Sequence, residues 1–334
     1  MAFLRRSVSK SSGHPVSEFW AWWGEGGHGL DPSRMSPEVD ELNRLVMAIN
    51  PDLTWHFGPG QDAEHRLTVT SSGVAAVRPA AERWLRAAPS ADTRWEFSAT
   101  MDADPEALTR KLKIEGYEVD LSETVFGIEP EFKRFRADVE VHHPQFAEME
   151  ESVRRQIAYM VLDWLLGEDD VERWIGGIDA VTAHPSNAVS GAALTAVVRE
   201  IEAKRDPDTW ALGQWTGPNG LPGLATLRPG IRWLDHPVMD RHQAVSLAYV
   251  SNEVGMPANL DGVRAVENAM LAMLGPRGVL VGHESHGGVR TFHIYADSED
   301  QNADADLKAF AKKHRLQITA TDDPGWSDSR RFTG

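Results

Sequence analysis

Residues 279–297 read VLVGHESHGGVRTFHIYAD, and no other stretch constrains the fold as tightly. Apolar and polar side chains alternate on both sides of Gly287-Gly288, the pattern of two half-buried strands joined by a glycine turn. Upstream lie a strand, QAVSLAYV, and a helix over 260–274 with Val263, Val266, Met270 and Leu274 on one stripe. Downstream a helix over about 302–314 carries Leu307, Phe310 and Ala311, and LQITA closes the series. The order β-α-β-β-α-β predicts a ferredoxin-like unit with both helices on one face of its sheet.

A chain of 334 residues exceeds the roughly 100–200 residues of a usual single core, so two domains are expected. The clearest seam is Asp206-Pro207-Asp208, where proline disfavours the helix that ends near Arg205. This reading gives a disordered leader over 1–15, an α+β domain over 16–205 and a ferredoxin-like domain over 206–334. Within the first domain, SPEVDELNRLVMAIN has a helix pattern, with Ser36 as N-cap and Pro37 in the first turn. LTWHFG, HRLTVTSS, TRWEFSAT, GYEVDLSETVFGI and FRADVEVHH read as strands. One long helix is expected from Pro144 to Leu166, with VERWIGGIDAV returning as a strand.

Composition excludes several classes of function. There is no cysteine, so disulfides, thiolate nucleophiles and cysteine-ligated zinc are out. The formal net charge is −16, and residues 1–205 hold 34 acidic against 22 basic side chains. Phosphate backbones repel such a surface, so nucleic acid is not an expected partner. No apolar run approaches the ~18 residues of a membrane span, and the first residues lack a signal-peptide core. A cytoplasmic location is expected, as a monomer or homodimer.

The strings GHESHGGVRTFHIYAD and DDPGWSDSRRF also carry a family likeness. With a glycine hairpin, a strand ending in YAD and a terminal Asp-Pro-x-Trp, residues 208–334 resemble a bacterial domain of unknown function, family 695. The first half, with FWAWW, RWEFSATM and LGEDDVERWIGGID, looks like another uncharacterised bacterial module. Neither resemblance implies an activity or a catalytic residue.

The hairpin histidines raise the question of chemistry. A zincin needs His-Glu-x-x-His on a helix, where i,i+4 places both imidazoles on one side. Here His283, Glu284 and His286 stand as His-Glu-Ser-His on a strand, whose alternation sends the two rings to opposite faces. A metal would need a third ligand from His293, His242, Asp297 or His236. No metal is expected, and His283, Glu284 and His286 remain weak catalytic candidates. Alternation groups Val279 and Val281 with His283 on the helix-covered face, beside Arg290, and Leu280 with Glu284 on the other. Phe292 and Ile294 should face the helices and His293 and Tyr295 the open side, which is expected to be covered by the first domain, through the extended pieces around Trp215 and Trp233, or by a second copy.

Other candidates are fewer. GPNGLPG and GEGGHG lack the spacing of phosphate-binding loops, so no cofactor is expected. Glu168-Asp169-Asp170 has no calcium-loop spacing and should cap a strand. Trp20, Trp22 and Trp23 cannot all face inward on one short helix, so they either pack against their own domain or form a contact patch, and they join His293 and Tyr295 of the open sheet face as binding candidates. The expectation is a non-catalytic regulatory or adaptor protein that binds another protein. The alternative is a hydrolase, metal-dependent or not, built on His283, His286 and His293. A small-ligand sensor using a cleft between the halves is a third reading.

Overall fold

The computed structural model describes residues 13–34, 36–217, 220–252 and 257–330. The leader expected over 1–15 lies outside them except at 13–15, and Pro15 already begins the first helix. By its internal contacts the chain divides into two units. One runs up to Ser72 and includes Ala80–Ala99; the other comprises Gly73–Pro79 and the chain from Thr100 onward. The seam expected near 205 therefore falls inside the second unit. Proline ends the helix there but not the packing: Arg205 Nε donates to Gly230 O, and its guanidinium pairs with Asp235. From the far side Arg228 donates to Pro207 O at 2.9 Å and to Asp208 at 2.9 Å.

The first unit holds α1 (Pro15–Glu25), α2 (Pro37–Ile49), β1 (Thr54–Pro59), β2 (His65–Thr70), α3 (Arg78–Arg86) and β3 (Trp95–Ser98). Its sheet has the order β1-β2-β3, antiparallel then parallel. Val39, Leu42, Leu45 and Val46 of α2 are buried as their helical spacing requires. Glu96 of β3 fastens the turn after β1. Its carboxylate accepts the N–H groups of Gln61 at 2.8 Å and Asp62 at 3.1 Å, and Arg66 Nε at 2.6 Å.

Burial pushes the Glu96 carboxyl up, but the backbone donors and Arg66 outweigh it and hold the group down at about 2. Its contribution to stability is thus fully present above about pH 4.5 and is lost as pH falls toward 2. Acid unfolding monitored over this window should become flatter in Glu96→Gln, at the cost of a lower plateau near neutrality. An unchanged acid limb would mean that other carboxylates control it.

The second unit begins with the hairpin β4 (Lys111–Ile114) and β5 (Tyr117–Asp120). Then come β6 (Val125–Glu131), β7 (Arg136–His142), α4 (Glu151–Leu166), α5 (Glu168–Trp174), β8 (Ile175–Val181) and α6 (Gly191–Lys204). The sheet order is β6-β7-β8, and its core includes Phe126, Val139, Val141, Ile157, Leu162, Trp174 and Val198. Three expectations need correction here, the first being that VERW of the expected strand VERWIGGIDAV ends α5, so that β8 begins only at Ile175. The long helix from Pro144 breaks into a 3-10 turn, Pro144–Glu148, and α4, with Met149 and Glu150 extended between them, and Arg154 Nη1 donates back to the carbonyls of Met149 and Phe146. Glu168-Asp169-Asp170 opens α5 and does not cap a strand; carboxylates are favoured at the positive end of a helix.

The remaining elements are β9 (Ala211–Thr216), β10 (Pro222–Leu227), β11 (Arg241–Ala248), α7 (Leu260–Leu274), β12 (Gly278–His286), β13 (Val289–Ala296), α8 (Gln301–His314) and β14 (Gln317–Asp322). They form one six-stranded sheet of order β14-β11-β13-β12-β10-β9, antiparallel throughout. Val245, Leu280, Phe292 and Ile294 pack against Val263, Met270, Leu307 and Phe310 of the two helices. GPNGLPG is not loop throughout, since Pro222 and Gly223 start β10. Gly223 leaves room for the Trp215 indole, which would lie 2.2 Å from a Cβ at that position. Overall this is a mixed α/β chain with several sheets.

Candidate functional site

The His-Glu-Ser-His string does not converge. The β12–β13 register shifts between Leu280 and Gly282, a bulge that resets the alternation of every later residue. Leu280 therefore joins the core under the helices, while Val281 packs on the opposite side with Tyr295 and Trp326. The expected grouping of Val279 and Val281 with His283, and of Leu280 with Glu284, is overturned by this one residue. His283 lies on the helix side, 3.8 Å from Glu267 of α7 and edge-on to Phe292. Burial, with Arg290 next, pushes its imidazole down to about 4, so the ring is neutral at pH 7. Pairing continues to His286↔Val289, which leaves His286 on the other face near Trp215. Among the described residues no group of three or more His, Cys, Asp or Glu side chains is placed to hold a metal ion.

Glu284 arrives instead beside His293. On this open face His293 Nε2 lies 3.4 Å from Glu284 Oε1, and His293 Nδ1 lies 3.0 Å from His242 Nε2. His242 Nδ1 in turn lies 3.3 Å from Asp328 Oδ2. The result is a line of carboxylate, imidazole, imidazole and carboxylate with three gaps to fill. Two neutral imidazoles bring only two N–H groups, so one of the three gaps holds no proton; a third proton fills all three. Burial and the neighbouring His293 push the His242 imidazole down, which disfavours that third proton.

Tyr295 extends the cluster. Its hydroxyl donates to Asp323 at 2.6 Å and contacts Ser329 at 3.0 Å, while its ring stacks between His242 and Trp326 at 5.0 and 4.5 Å. Burial and the Asp323 charge raise the phenol far above its usual range, so it cannot serve as a base. Burial pushes Asp323 up, but hydrogen bonds from Ser327, Tyr295 and the Asp328 N–H outweigh it and keep the carboxylate charged. His242, His293, Tyr295, Asp323 and Ser329 are all buried. His293 and Tyr295 thus turn away from α7 and α8 as alternation requires. Their cover is Trp233 together with Ile231, Leu234 and the C-terminal Trp326, while Trp215 lies over Gly223 instead. The sequence marked Asp-Pro-x-Trp without revealing that its aspartate and tryptophan meet Tyr295.

Trp20, Trp22 and Trp23 do not form an exposed patch. Trp23 is buried edge-on to Trp95, Trp20 stacks on Trp84 and donates to its carbonyl at 2.8 Å, and Trp22 is half-buried over Gly27.

A cleft of about 590 Å³ adjoins the sealed face through Trp326. Its lining includes Arg134, Arg136, Arg232 and Arg330 against only two carboxylates, Asp138 and Glu172. Asp138 accepts the Gly177 N–H at 2.6 Å, and a Cβ on Gly176 would meet the same carboxylate oxygen, which explains that glycine pair. Glu172 accepts the Trp233 indole N–H at 3.1 Å. Arg232 is 3 % exposed and donates to the carbonyls of Arg134, Phe135, Arg173, Pro229 and Ile231. Burial, then Arg136 and Arg205, push it down to about 9. Burial also lowers Arg136, with Arg330 and Arg134 adding to the effect and Glu172 opposing it. Sequence reasoning missed these arginines, which are scattered over nearly 200 residues of an acidic chain.

Compared with known proteins, the chain matches no family model, no curated protein and no solved structure, so its function has to be argued from this geometry.

Proposed function

We propose that this is a non-catalytic regulatory or adaptor protein that receives its ligand in the arginine-lined cleft. One contrast carries the reading. His242, His293 and Tyr295 are buried and in contact with one another or with carboxylates, whereas the exposed Arg134 and Arg330 line an open cleft. A hydrolase built on His283, His286 and His293 has less support, because those rings stand on both faces of the sheet. Residues 241–322 are read as a ferredoxin-like unit, supported by the β14-β11-β13-β12 order with both helices on one face. The likeness of 208–334 to family 695 belongs to the same reading. Among the described residues no helix is long and apolar enough to cross a membrane, which accords with a cytoplasmic site of action.

The test uses protein labelled with 5-fluorotryptophan. Addition of citrate, glutamate and phosphate compounds at constant ionic strength should move the fluorine signals of Trp233 and Trp326, assigned by substitution, and leave Trp20, Trp23 and Trp84 in place. No hydrolysis of ester, phosphoester or peptide probes should accompany the shift. Turnover abolished by His242→Ala or His293→Ala, or cleft signals indifferent to every anion, would defeat the proposal.

A further inference from the structure

We propose that the cleft recognises a phosphate monoester, with the dianionic head held by Arg134, Arg136 and Arg330. This rests on the reading of the cleft as the binding place and gives the ligand its chemistry. Charge is the first argument. Four guanidinium groups against two carboxylates leave the lining at +2, in a chain whose net charge is −16. Both carboxylates are already engaged by N–H donors of the protein, and Glu131, outside the lining, pairs with Arg134 at 3.5 Å, which still leaves an excess of +1 for a ligand. A phosphate monoester carries about −1.5 to −2 at pH 7, the charge that such a lining lacks.

Donor geometry is the second argument. Arg232 spends its guanidinium on five carbonyls, so it supplies field but no free donor. Arg136 Nη1 reaches Ile175 O at 3.3 Å, while its Nε is buried without a partner. An unfilled donor on a buried guanidinium costs free energy until an acceptor arrives. Arg134 precedes β7, Arg136 starts it and Arg330 comes from the chain end, so the donors approach from separate segments. Three phosphate oxygens in a tetrahedron suit such an arrangement better than the two coplanar oxygens of one carboxylate.

The aromatic lining bears on the rest of the ligand. Trp326 is stacked on both Tyr295 and His236 and is buried, so it offers no ring face to a nucleobase. Tyr159, 46 % exposed, is the aromatic side chain free to cover the ester group. A small phosphorylated metabolite fits this description.

Titration calorimetry at fixed ionic strength, with glycerol phosphate as probe and succinate as a dicarboxylate control, tests the assignment. Glycerol phosphate should bind and succinate should bind at least tenfold more weakly. Arg136→Gln should weaken the phosphate ester at least tenfold, and so should Arg330→Gln, whose exposed position spares the fold. Affinity should also fall as pH drops below about 6, where the ester takes its second proton. Absence of glycerol phosphate binding, or binding unchanged in both variants, would overturn the assignment. Succinate binding as tightly, with the Trp233 and Trp326 signals still responding, would remove the phosphate and leave the cleft as the binding place.

Discussion

Tyr295→Ala is expected to lower the stability of the second unit by about 3–5 kcal/mol, the usual cost of truncating a large aromatic side chain in a packed core. Tyr295 is fully buried, and its ring fills the space between His242 and Trp326. The hydroxyl adds a separate contribution, since Asp323 would lose a donor at 2.6 Å. Tyr295→Phe isolates that part and should cost about 1.5–3 kcal/mol, the range for a hydrogen bond to a charged group. Urea unfolding of both variants gives the two numbers. A loss below about 1 kcal/mol for the alanine variant would mean that the Trp326 segment lifts off easily and that the face is not part of the core.

Arg232→Met should cost about 3 kcal/mol or more, although methionine fills much of the volume. Each of five carbonyls loses a donor worth about 0.5–1.5 kcal/mol, and relief of repulsion with Arg136 returns part of the loss. The consequence is spatially specific, because those carbonyls lie on both sides of the exposed stretch at 206–210. Proteolysis at that stretch should leave associated fragments in the wild type and separable ones in Arg232→Met. Fragments that part equally readily in both would show that Arg232 does not couple the two sides.

The elements of the second half were legible because each obeys a local rule. Period-3.6 stripes marked α7 and α8, strict alternation marked β11 and β13, and Gly287-Gly288, both at positive φ, marked the turn. The same alternation placed Phe292 and Ile294 against the helices and His293 and Tyr295 opposite them. It failed at Val281, where a bulge inserts one residue. The residues around a bulge remain ordinary strand formers, and only the cross-strand register reveals it. Leu280 consequently changed places with Val279 and Val281, while Glu284 kept its expected side with His293. The proline at 207 likewise carried a true local message, the end of α6, from which a domain boundary did not follow.

By itself, then, the sequence determined the local matters: most of the helices and strands, the apolar face of β13, and which chemistries the absence of cysteine and the acidic charge exclude. Those properties depend on neighbours a few residues away, through backbone geometry and side-chain periodicity. Tertiary structure alone decided that His242, His293, Glu284 and Asp328 form one line, that Trp326 seals Tyr295, and that four arginines surround one cleft. Each of these unites side chains from several strands, turns and the chain end. Their energies are set by burial and by distances of a few ångströms, quantities that exist only once the chain has closed on itself.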